Sequence, residues 1–246
     1  MSTAPPDVVK DFAPTGKLRA ALNLSNIVLV QKDPATGEPK GITPELAREL
    51  AGRLGLPLEF VIFQSAGKVT DALKSGVYDV AFLATEPARA AEIAFSAPYV
   101  LIEGTYMVRK ESPLKTVADV DRAGVRIAVG RGSAYDLYLT RTLKNATLVR
   151  AEGGDAAIQQ FLAENLEAAA GVKQPLVAYA KTRPELRVMD GRFQVIEQAM
   201  GVPKGRAAAA RYLRSFVEEL KASGFVADAL QRSGQHDATV APPAGS

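Results

Sequence analysis

Short apolar runs alternate along most of the chain with segments whose apolar residues recur at helical spacing. The run KLRAALNL (17–24) is typical of a buried strand. The segment that follows it, TPELARELAGRLG, places apolar side chains every three or four residues on one face and is predicted to be a helix. Thr43 is the predicted N-cap of this helix, and Gly55 is predicted to end it.

The same alternation continues in two series. In the first, strand patterns at 57–63 and 78–84 flank a helical pattern at 67–76. After the extended stretch PYVLIEGTYMVRK, a second series runs through strand, helix, strand, helix and strand from 125 to 172. Strand–helix–strand order with short glycine-marked joints predicts an α/β protein with parallel sheets.

Two extended segments connect the two series, which predicts two lobes joined by two crossing strands. The first lobe is expected at 17–102 together with 200–234, and is therefore discontinuous, whereas the second lobe is expected at 103–199. Residues 1–16 are predicted to be a flexible lead, and residues 235–246 a disordered tail.

Composition narrows the classes of function. The 246 residues contain 30 Lys and Arg against 27 Asp and Glu, and these charges form no basic run that would indicate nucleic-acid binding. The absence of Cys excludes disulfides and thiolate chemistry, and a single His, His236, leaves little for triad catalysis or a histidine metal site. We expect neither a metal nor a cofactor.

Location is less constrained by the sequence. No apolar stretch approaches the roughly 20 residues of a membrane helix, so we expect a soluble protein. We also expect it to be a monomer. The N-terminus lacks the apolar core of a secretory signal. Either such a signal has been removed and a start Met supplied, or the protein stays in the cytoplasm.

From Lys17 to about Ser233 the order of elements and several local motifs resemble the family-3 solute-binding proteins of bacterial ABC importers, of the polar-amino-acid type. The motifs are GITPELARELAGRLGLPLEF, DALKSGVYDVAFLA, RAAEIAFSAPY, VADVDRAGVRIAVGRGSAYDLYL and AMGVPKG. The resemblance implies a type II periplasmic-binding-protein fold whose lobes close on a small ligand in the cleft between them. It also implies an ABC permease as partner, a periplasmic location and no intrinsic chemistry.

The resemblance assigns a role to Arg89, which stands six residues before Phe95 of the FSAPY motif. The family's Arg at this spacing forms a bidentate salt bridge with the ligand's α-carboxylate. A planar, permanently charged guanidinium matches the two oxygens of a carboxylate better than a lysine ammonium does. The alternative is a solvated helix arginine beside Glu92.

Four further residues of the first lobe lie where the family places pocket side chains. Asn23 and Asn26 follow the first strand, and their amides could hydrogen-bond a polar ligand or simply cap a turn. Gln64 and Ser65 follow the second strand and are candidates for the same reason.

Thr85 resembles a family threonine that helps to hold the ligand. The segment from Asp79 to Arg89 is about two residues shorter here than in the amino-acid binders, so the family's threonine corresponds to Thr85 or to a position one or two residues away. Glu86 could face the cleft instead.

In the second lobe, Gly132 and Ser133 come at the start of a predicted helix. Backbone N–H groups and the positive end of the helix dipole favour a carboxylate there, although Ser133 would also serve as a structural N-cap. Tyr135 could wall the pocket, or could belong to the core together with Tyr138.

The resemblance fails at one functional position. Family members that bind amino acids carry an Asp after the last strand of the second lobe, and it neutralises the ligand's α-ammonium. Here Val172, Lys173 and Gln174 occupy this place. If Lys173 lines the site, it and Arg89 supply two positive groups whose counter-charge would have to be Glu86 or Glu103, which makes an anionic ligand credible. Lys173 could also point to solvent.

The leading hypothesis is a substrate-binding protein that captures a small carboxylate-bearing solute, either an amino acid or an organic acid. Two alternatives remain open. One is an enzyme on the same fold, similar to cyclohexadienyl dehydratase, in which Glu86 or Glu103 would be the acid or base. The other is a cytoplasmic ligand sensor.

Overall fold

The computed structural model describes residues 4–245, and its contacts divide them into two compact units. Unit 1 comprises the described parts of Met1–Gln64, Lys68–Leu101 and Glu197–Ser246, and unit 2 comprises Ser65–Gly67 and Ile102–Ile196. Apart from Ser65–Gly67, the chain therefore leaves unit 1 after Leu101 and returns to it at Glu197. The grouping of Ser65–Gly67 with unit 2 has no counterpart in the boundaries expected from the sequence.

Helices and strands alternate as the apolar pattern predicted. The helices of the described chain are α1 (Pro6–Phe12), α2 (Ile42–Leu54), α3 (Ala66–Asp71), α4 (Pro87–Ala90), α5 (Ala134–Thr142), α6 (Gly154–Ala163), α7 (Lys173–Lys181), α8 (Ala207–Ala222) and α9 (Phe225–Arg232). The strands are β1 (Leu18–Asn23), β2 (Gln31–Lys32), β3 (Pro39–Lys40), β4 (Leu58–Phe63), β5 (Val80–Ala84), β6 (Ile93–Arg109), β7 (Arg126–Gly130), β8 (Thr147–Ala151), β9 (Ala168–Val172), β10 (Leu186–Val188), β11 (Gln194–Pro203) and β12 (Thr239–Val240). The α/β prediction is confirmed.

In unit 1 the strand order is β4-β1-β5-β11-β6. The pairs β1–β4 and β1–β5 are parallel, and β11 is antiparallel to β5. All five residues of β5 are buried, as are all but one of β1, so these central strands form the core of unit 1, and α2 packs against β1. The carboxyl ends of β1 and β5 deliver the loops that carry most candidates of the first lobe.

In unit 2 the order is β6-β9-β7-β8, with β10 added to β6. The pairs β7–β8 and β7–β9 are parallel, and β6 runs antiparallel to β9. Met107, Ala128, Phe161, Ala169 and Leu176 belong to the buried cluster under this sheet. The small side chains of β9 let α6 and α7 approach closely, and Leu176 packs over Gly171.

The start of α2 differs from the prediction that Thr43 caps it. The helix begins at Ile42, and Gly41 is the residue before it, with φ of 108°. A Cβ at position 41 would come within 2.7 Å of the Leu29 carbonyl oxygen. Only glycine combines this dihedral angle with this close approach, so the chain enters the helix through Gly41 and Thr43 lies buried in the first turn.

Both chain ends are more ordered than the sequence suggested. The lead contains α1, which packs on α8 with Phe12 fully buried, and the Asp11 carboxylate accepts the backbone N–H groups of Ala208 and Ala209 at 2.9 and 3.2 Å. The flexible-lead prediction is therefore wrong for α1, because an acid from another helix satisfies the N-terminus of α8. Residues 1–3 lie outside the described chain.

The tail is also built into unit 1. Strand β12 pairs with Val100 and Leu101 of β6, and Ala241 beyond it is buried. The Lys221 ammonium donates to the carbonyl oxygens of Pro98 and Pro242, at 3.1 and 2.8 Å. The prediction of a disordered tail is therefore wrong up to this point, and residue 246 lies outside the described chain.

A buried carboxylate links β1, β5 and the start of α8. Asp79 is 0% exposed and accepts from Arg19 Nε at 2.8 Å, from Arg19 Nη2 at 2.9 Å and from Arg206 Nη1 at 2.9 Å. The hydrogen bonds that Arg19 donates to Asp79 raise the pKa of Arg19. This group of charged side chains fixes the sheet of unit 1 to the start of α8.

In the described range 4–245, none of the helices is both long enough and apolar enough to span a bilayer.

Asp79→Asn should destabilise unit 1 by about 3 kcal/mol, since removing one partner of a buried ionic group leaves the remaining charges uncompensated. Urea unfolding followed by circular dichroism measures this change. Asp71→Asn, at an exposed position on α3, is the matched control and should change the free energy of unfolding by less than about 0.5 kcal/mol. Equal effects of the two substitutions would contradict the assignment.

Lys221→Met should loosen the tail without unfolding the protein, because two carbonyl oxygens lose their charged donor, at a cost of about 1–3 kcal/mol. The Ala241 amide, which donates to the Tyr99 carbonyl oxygen at 3.1 Å, should then exchange its hydrogen at least about fivefold faster in NMR measurements. Lys204→Met at an exposed position should leave that rate unchanged. Unaltered exchange in Lys221→Met would show that the ammonium does not hold the tail.

Candidate functional site

Arg89 is among the largest fully buried side chains of the described protein. It lies on α4, the short helix that follows β5, and is 2% exposed. Its Nη1 donates to the Ala84 carbonyl oxygen, at the end of β5, at 3.0 Å. The alternative of a solvated helix arginine beside Glu92 is therefore wrong, and the exposed Glu92 pairs instead with Lys74 at 2.9 Å.

The local sequence explains how a cation comes to be buried here. Strand β5 is apolar throughout and ends at Ala84, after which Pro87 starts a single turn of helix with its fixed φ. This turn directs Arg89 back towards the last carbonyl of the strand. The chain then enters β6 at Ile93, which is buried.

Burial and a neighbouring acid act on Arg89 in opposite directions. Loss of solvation lowers the pKa of its guanidinium to about 10, and the attraction of Glu86 raises that pKa but does not offset the burial. Arg89 remains charged at neutral pH. Glu86 is itself only 2% exposed, so unit 1 holds a cation and an acid, three residues apart in the chain, both shielded from water.

Of the two candidates before α4, Glu86 is the buried one. Thr85 is exposed, and its backbone N–H donates to the Glu197 carbonyl oxygen at 2.9 Å, which continues the pairing of β5 with β11. The burial of Glu86 close to Arg89 favours the expectation that Glu86, rather than Thr85, takes part in the site. Thr85 stays a prediction.

The loop after β1 is organised by the first of its two asparagines. Asn23 Oδ1 accepts from the backbone N–H and the hydroxyl of Ser25, at 3.1 and 2.8 Å, which is the turn-capping arrangement. Asn26 differs, because its Oδ1 is buried and accepts no hydrogen bond in the described chain. An unsatisfied buried amide oxygen is costly, so of this pair Asn26 is the stronger candidate for meeting a donor on a ligand.

The two candidates after β4 separate in the same way. Gln64 is exposed, whereas Ser65 is 6% exposed and groups with unit 2. Both stay predictions as ligand contacts.

In unit 2 the start of α5 already holds a carboxylate of the chain itself. Asp136 is 4% exposed, and its Oδ2 accepts the Gly132 backbone N–H at 2.8 Å. Ser133 Oγ accepts the backbone N–H of Asp136 at 3.1 Å and is therefore the N-cap. Arg150 Nε donates to Asp136 Oδ1 at 2.9 Å. These contacts support the structural role of Gly132 and Ser133, and their ligand contacts stay predictions.

Sequence reasoning missed Asp136, although a signal for it was present. Ser133 and Asp136 have the spacing of a serine cap followed three residues later by an acid. Tyr135, next to them, is 9% exposed, and burial raises the pKa of its hydroxyl. Its oxygen lies so close to Gly130 that a Cβ there would be 3.1 Å away. Of the two roles left open for Tyr135, the core position is therefore better supported than the pocket wall.

Lys173 begins α7 directly after β9, and its ammonium donates to Glu103 Oε2 at 3.1 Å. Arg192 pairs with the other oxygen of the same carboxylate. The hydrogen bond that Arg192 donates has the largest effect and lowers the pKa of Glu103, and the one from Lys173 lowers it further. Lys173 is half-buried and paired rather than simply solvated. The two acids that the sequence offered as counter-charges are therefore both engaged, since Glu103 compensates Lys173 and Glu86 attracts Arg89.

Replacing the Arg89 and Glu86 pair together, as Arg89→Met with Glu86→Gln, should leave the ligand-free protein as stable as the wild type or about 1–4 kcal/mol more stable. The reason is that two charges no longer have to be desolvated. Each single substitution should destabilise by about 3–5 kcal/mol, since it leaves one buried charge alone. Thermal unfolding of the four proteins forms a double-mutant cycle. A double variant much less stable than wild type would make the pair a structural element.

Comparison with known proteins gives consistent matches. The family model described as bacterial extracellular solute-binding proteins, family 3, matches residues 28–235. The amino-acid-binding protein AabA of Dichelobacter nodosus is 24% identical over 228 residues, covering 90% of this chain and 89% of its own.

Solved structures match over nearly the whole chain. The solute receptor for L-cysteine of Neisseria gonorrhoeae superimposes with a TM-score of 0.79 at 22% identity, over 92% of each chain. The ancestral amino-acid-binding protein AncCDT-1, a precursor of cyclohexadienyl dehydratase, gives 0.75 at 22% identity, over 91% of this chain and 98% of its own. The predicted type II periplasmic-binding-protein fold is confirmed.

Proposed function

The chain belongs to the bacterial extracellular solute-binding proteins of family 3, and from this premise we propose that it captures a small carboxylate-bearing solute and delivers it to an ABC permease. Arg89 is the anchor for the carboxylate in this proposal. Closure of the two units on the ligand is part of the proposal and rests on the family resemblance, as does the periplasmic location.

The observation that carries the proposal is the burial of the Arg89 guanidinium. A buried arginine with a lowered pKa is costly to maintain and gains most from an anion that reaches it. Its Nη1 is held by the Ala84 carbonyl oxygen, which fixes the plane of the fork before a ligand arrives. Such preorganisation reduces the entropy lost on binding.

Within this proposal the solute is an amino acid or a close relative of one. The relatives named above are an amino-acid-binding protein, a receptor for L-cysteine and an ancestral amino-acid binder. Compensation of Lys173 by Glu103 removes the electrostatic reason for preferring an anion without an ammonium group.

A binding role also fits the acids better than an enzymatic one. The pKa of Glu103 lies below its usual range because of Arg192 and Lys173, which makes this carboxylate a weak general base. Glu86 interacts electrostatically with the buried guanidinium of Arg89. Incubation with prephenate should therefore give no turnover, whereas the alternative of a dehydratase requires it.

A thermal-shift panel of L-amino acids and organic acids tests the proposal. A ligand at one hundred times its dissociation constant should raise the free energy of unfolding by about 2.7 kcal/mol. The shift should be lost in Arg89→Ala, and also in the double variant Arg89→Met, Glu86→Gln, which is expected to keep its stability. Arg89→Lys should bind more weakly than wild type, because an ammonium cannot donate in the planar bidentate way.

Arg211→Ala on the exposed face of α8 is the matched control and should keep the full shift. Wild-type affinity in the Arg89 variants would show that Arg89 is not the anchor. A wild-type protein that responds to no member of the panel would contradict the proposed function as a whole.

A further inference from the structure

The pairing of charges within each unit bears on which kind of carboxylate this protein selects. In unit 1, Arg89 and Glu86 are each 2% exposed, and Glu86 attracts the guanidinium. In unit 2, Glu103 is engaged by both Lys173 and Arg192. The acid that is buried beside the proposed anchor therefore belongs to the same short segment as the anchor.

Charge balance distinguishes two classes of ligand at such a pair. A zwitterion adds no net charge, so its carboxylate can meet Arg89 while its ammonium meets Glu86. An organic acid of the same shape adds one negative charge beside Glu86, where little water remains to screen it, and like charges in that setting repel strongly. The α-ammonium and α-carboxylate of an amino acid are bonded to the same carbon. Their separation therefore falls within the range of about 4–6 Å over which two charges interact strongly.

We propose that Glu86 is a specificity-determining residue of the binding site: its carboxylate accepts hydrogen bonds from the α-ammonium of the ligand while Arg89 donates to the α-carboxylate, so that the protein selects amino acids over the corresponding organic acids. This inference rests on the proposed function and names its substrate class. It also accounts for the absence of an acid after β9, where Val172, Lys173 and Gln174 stand.

Isothermal titration with matched ligand pairs tests the assignment. The pairs are L-alanine with propanoate, L-glutamate with glutarate, and L-cysteine with 3-mercaptopropanoate, which differ only in the ammonium group. For any pair that it binds, the wild-type protein should have at least about tenfold higher affinity for the amino acid than for the organic acid. Glu86→Gln should lower this preference at least about tenfold, because the amino acid loses its counter-charge and the organic acid loses a repulsion.

Two further variants make the result specific. Glu92→Gln is the matched control, since Glu92 also lies three residues from Arg89 but is exposed and paired with Lys74; its preference should equal that of the wild type. Glu86→Asp keeps the negative charge and should retain the preference to within about threefold. Should Glu86→Gln fail to fold, the wild type and Glu86→Asp still test the proposal, because equal affinity for both members of a pair in either protein overturns it.

The outcomes separate this inference from the proposed function. An unchanged preference in folded Glu86→Gln overturns the role of Glu86, and so does an equal gain in affinity for both members of a pair, which would mean that Glu86 only competes for Arg89. Binding of organic acids alone by the wild type overturns the inference and leaves the carboxylate-binding function standing. Binding of neither class contradicts the proposed function itself.

Discussion

A guanidinium removed from water must be compensated by the protein around it, and this constraint organises the region at the end of β5. Arg89 receives one carbonyl oxygen from the strand it follows and the attraction of one buried acid, yet its pKa still falls to about 10. The burial penalty therefore exceeds what the surrounding chain returns. Groups whose pKa is shifted in this way by burial cluster at functional sites.

Other buried charges in the molecule show the opposite balance. Asp79 is surrounded by two arginines, and the hydrogen bond it accepts raises the pKa of Arg19. Asp136 accepts a backbone N–H group and a guanidinium at the start of α5. Those groups are compensated by their hydrogen-bond partners and hold elements together, whereas burial lowers the pKa of Arg89 despite the attraction of Glu86. This difference supports the proposed role of Arg89 as an anchor for a carboxylate.

The order of helices and strands followed from apolar spacing because the cores of both units consist of short, uninterrupted apolar strands such as β5. The chain ends could not be predicted in this way. In α1 only Val8 and Phe12 are buried, and two apolar side chains give no periodic signal above that of an ordinary polar segment. Its stability comes from packing on α8, which no local pattern reports. The role of Arg89 as a candidate anchor was a sequence prediction, whereas its burial close to Glu86 depends on the helical turn that begins at Pro87 and could not be predicted from apolar spacing.

The composition of unit 1 has a consequence for the order of events during synthesis. Its sheet needs β11, its helical layer needs α8, and the N-terminus of α8 is satisfied by Asp11 from the first helix. The sequence from Ile102 to Ile196 forms nearly all of unit 2 without a break. On the ribosome, the second unit can therefore complete its core while the first still lacks a central strand. Unit 1 is synthesised first, but its sheet cannot be completed until the last fifty residues have emerged.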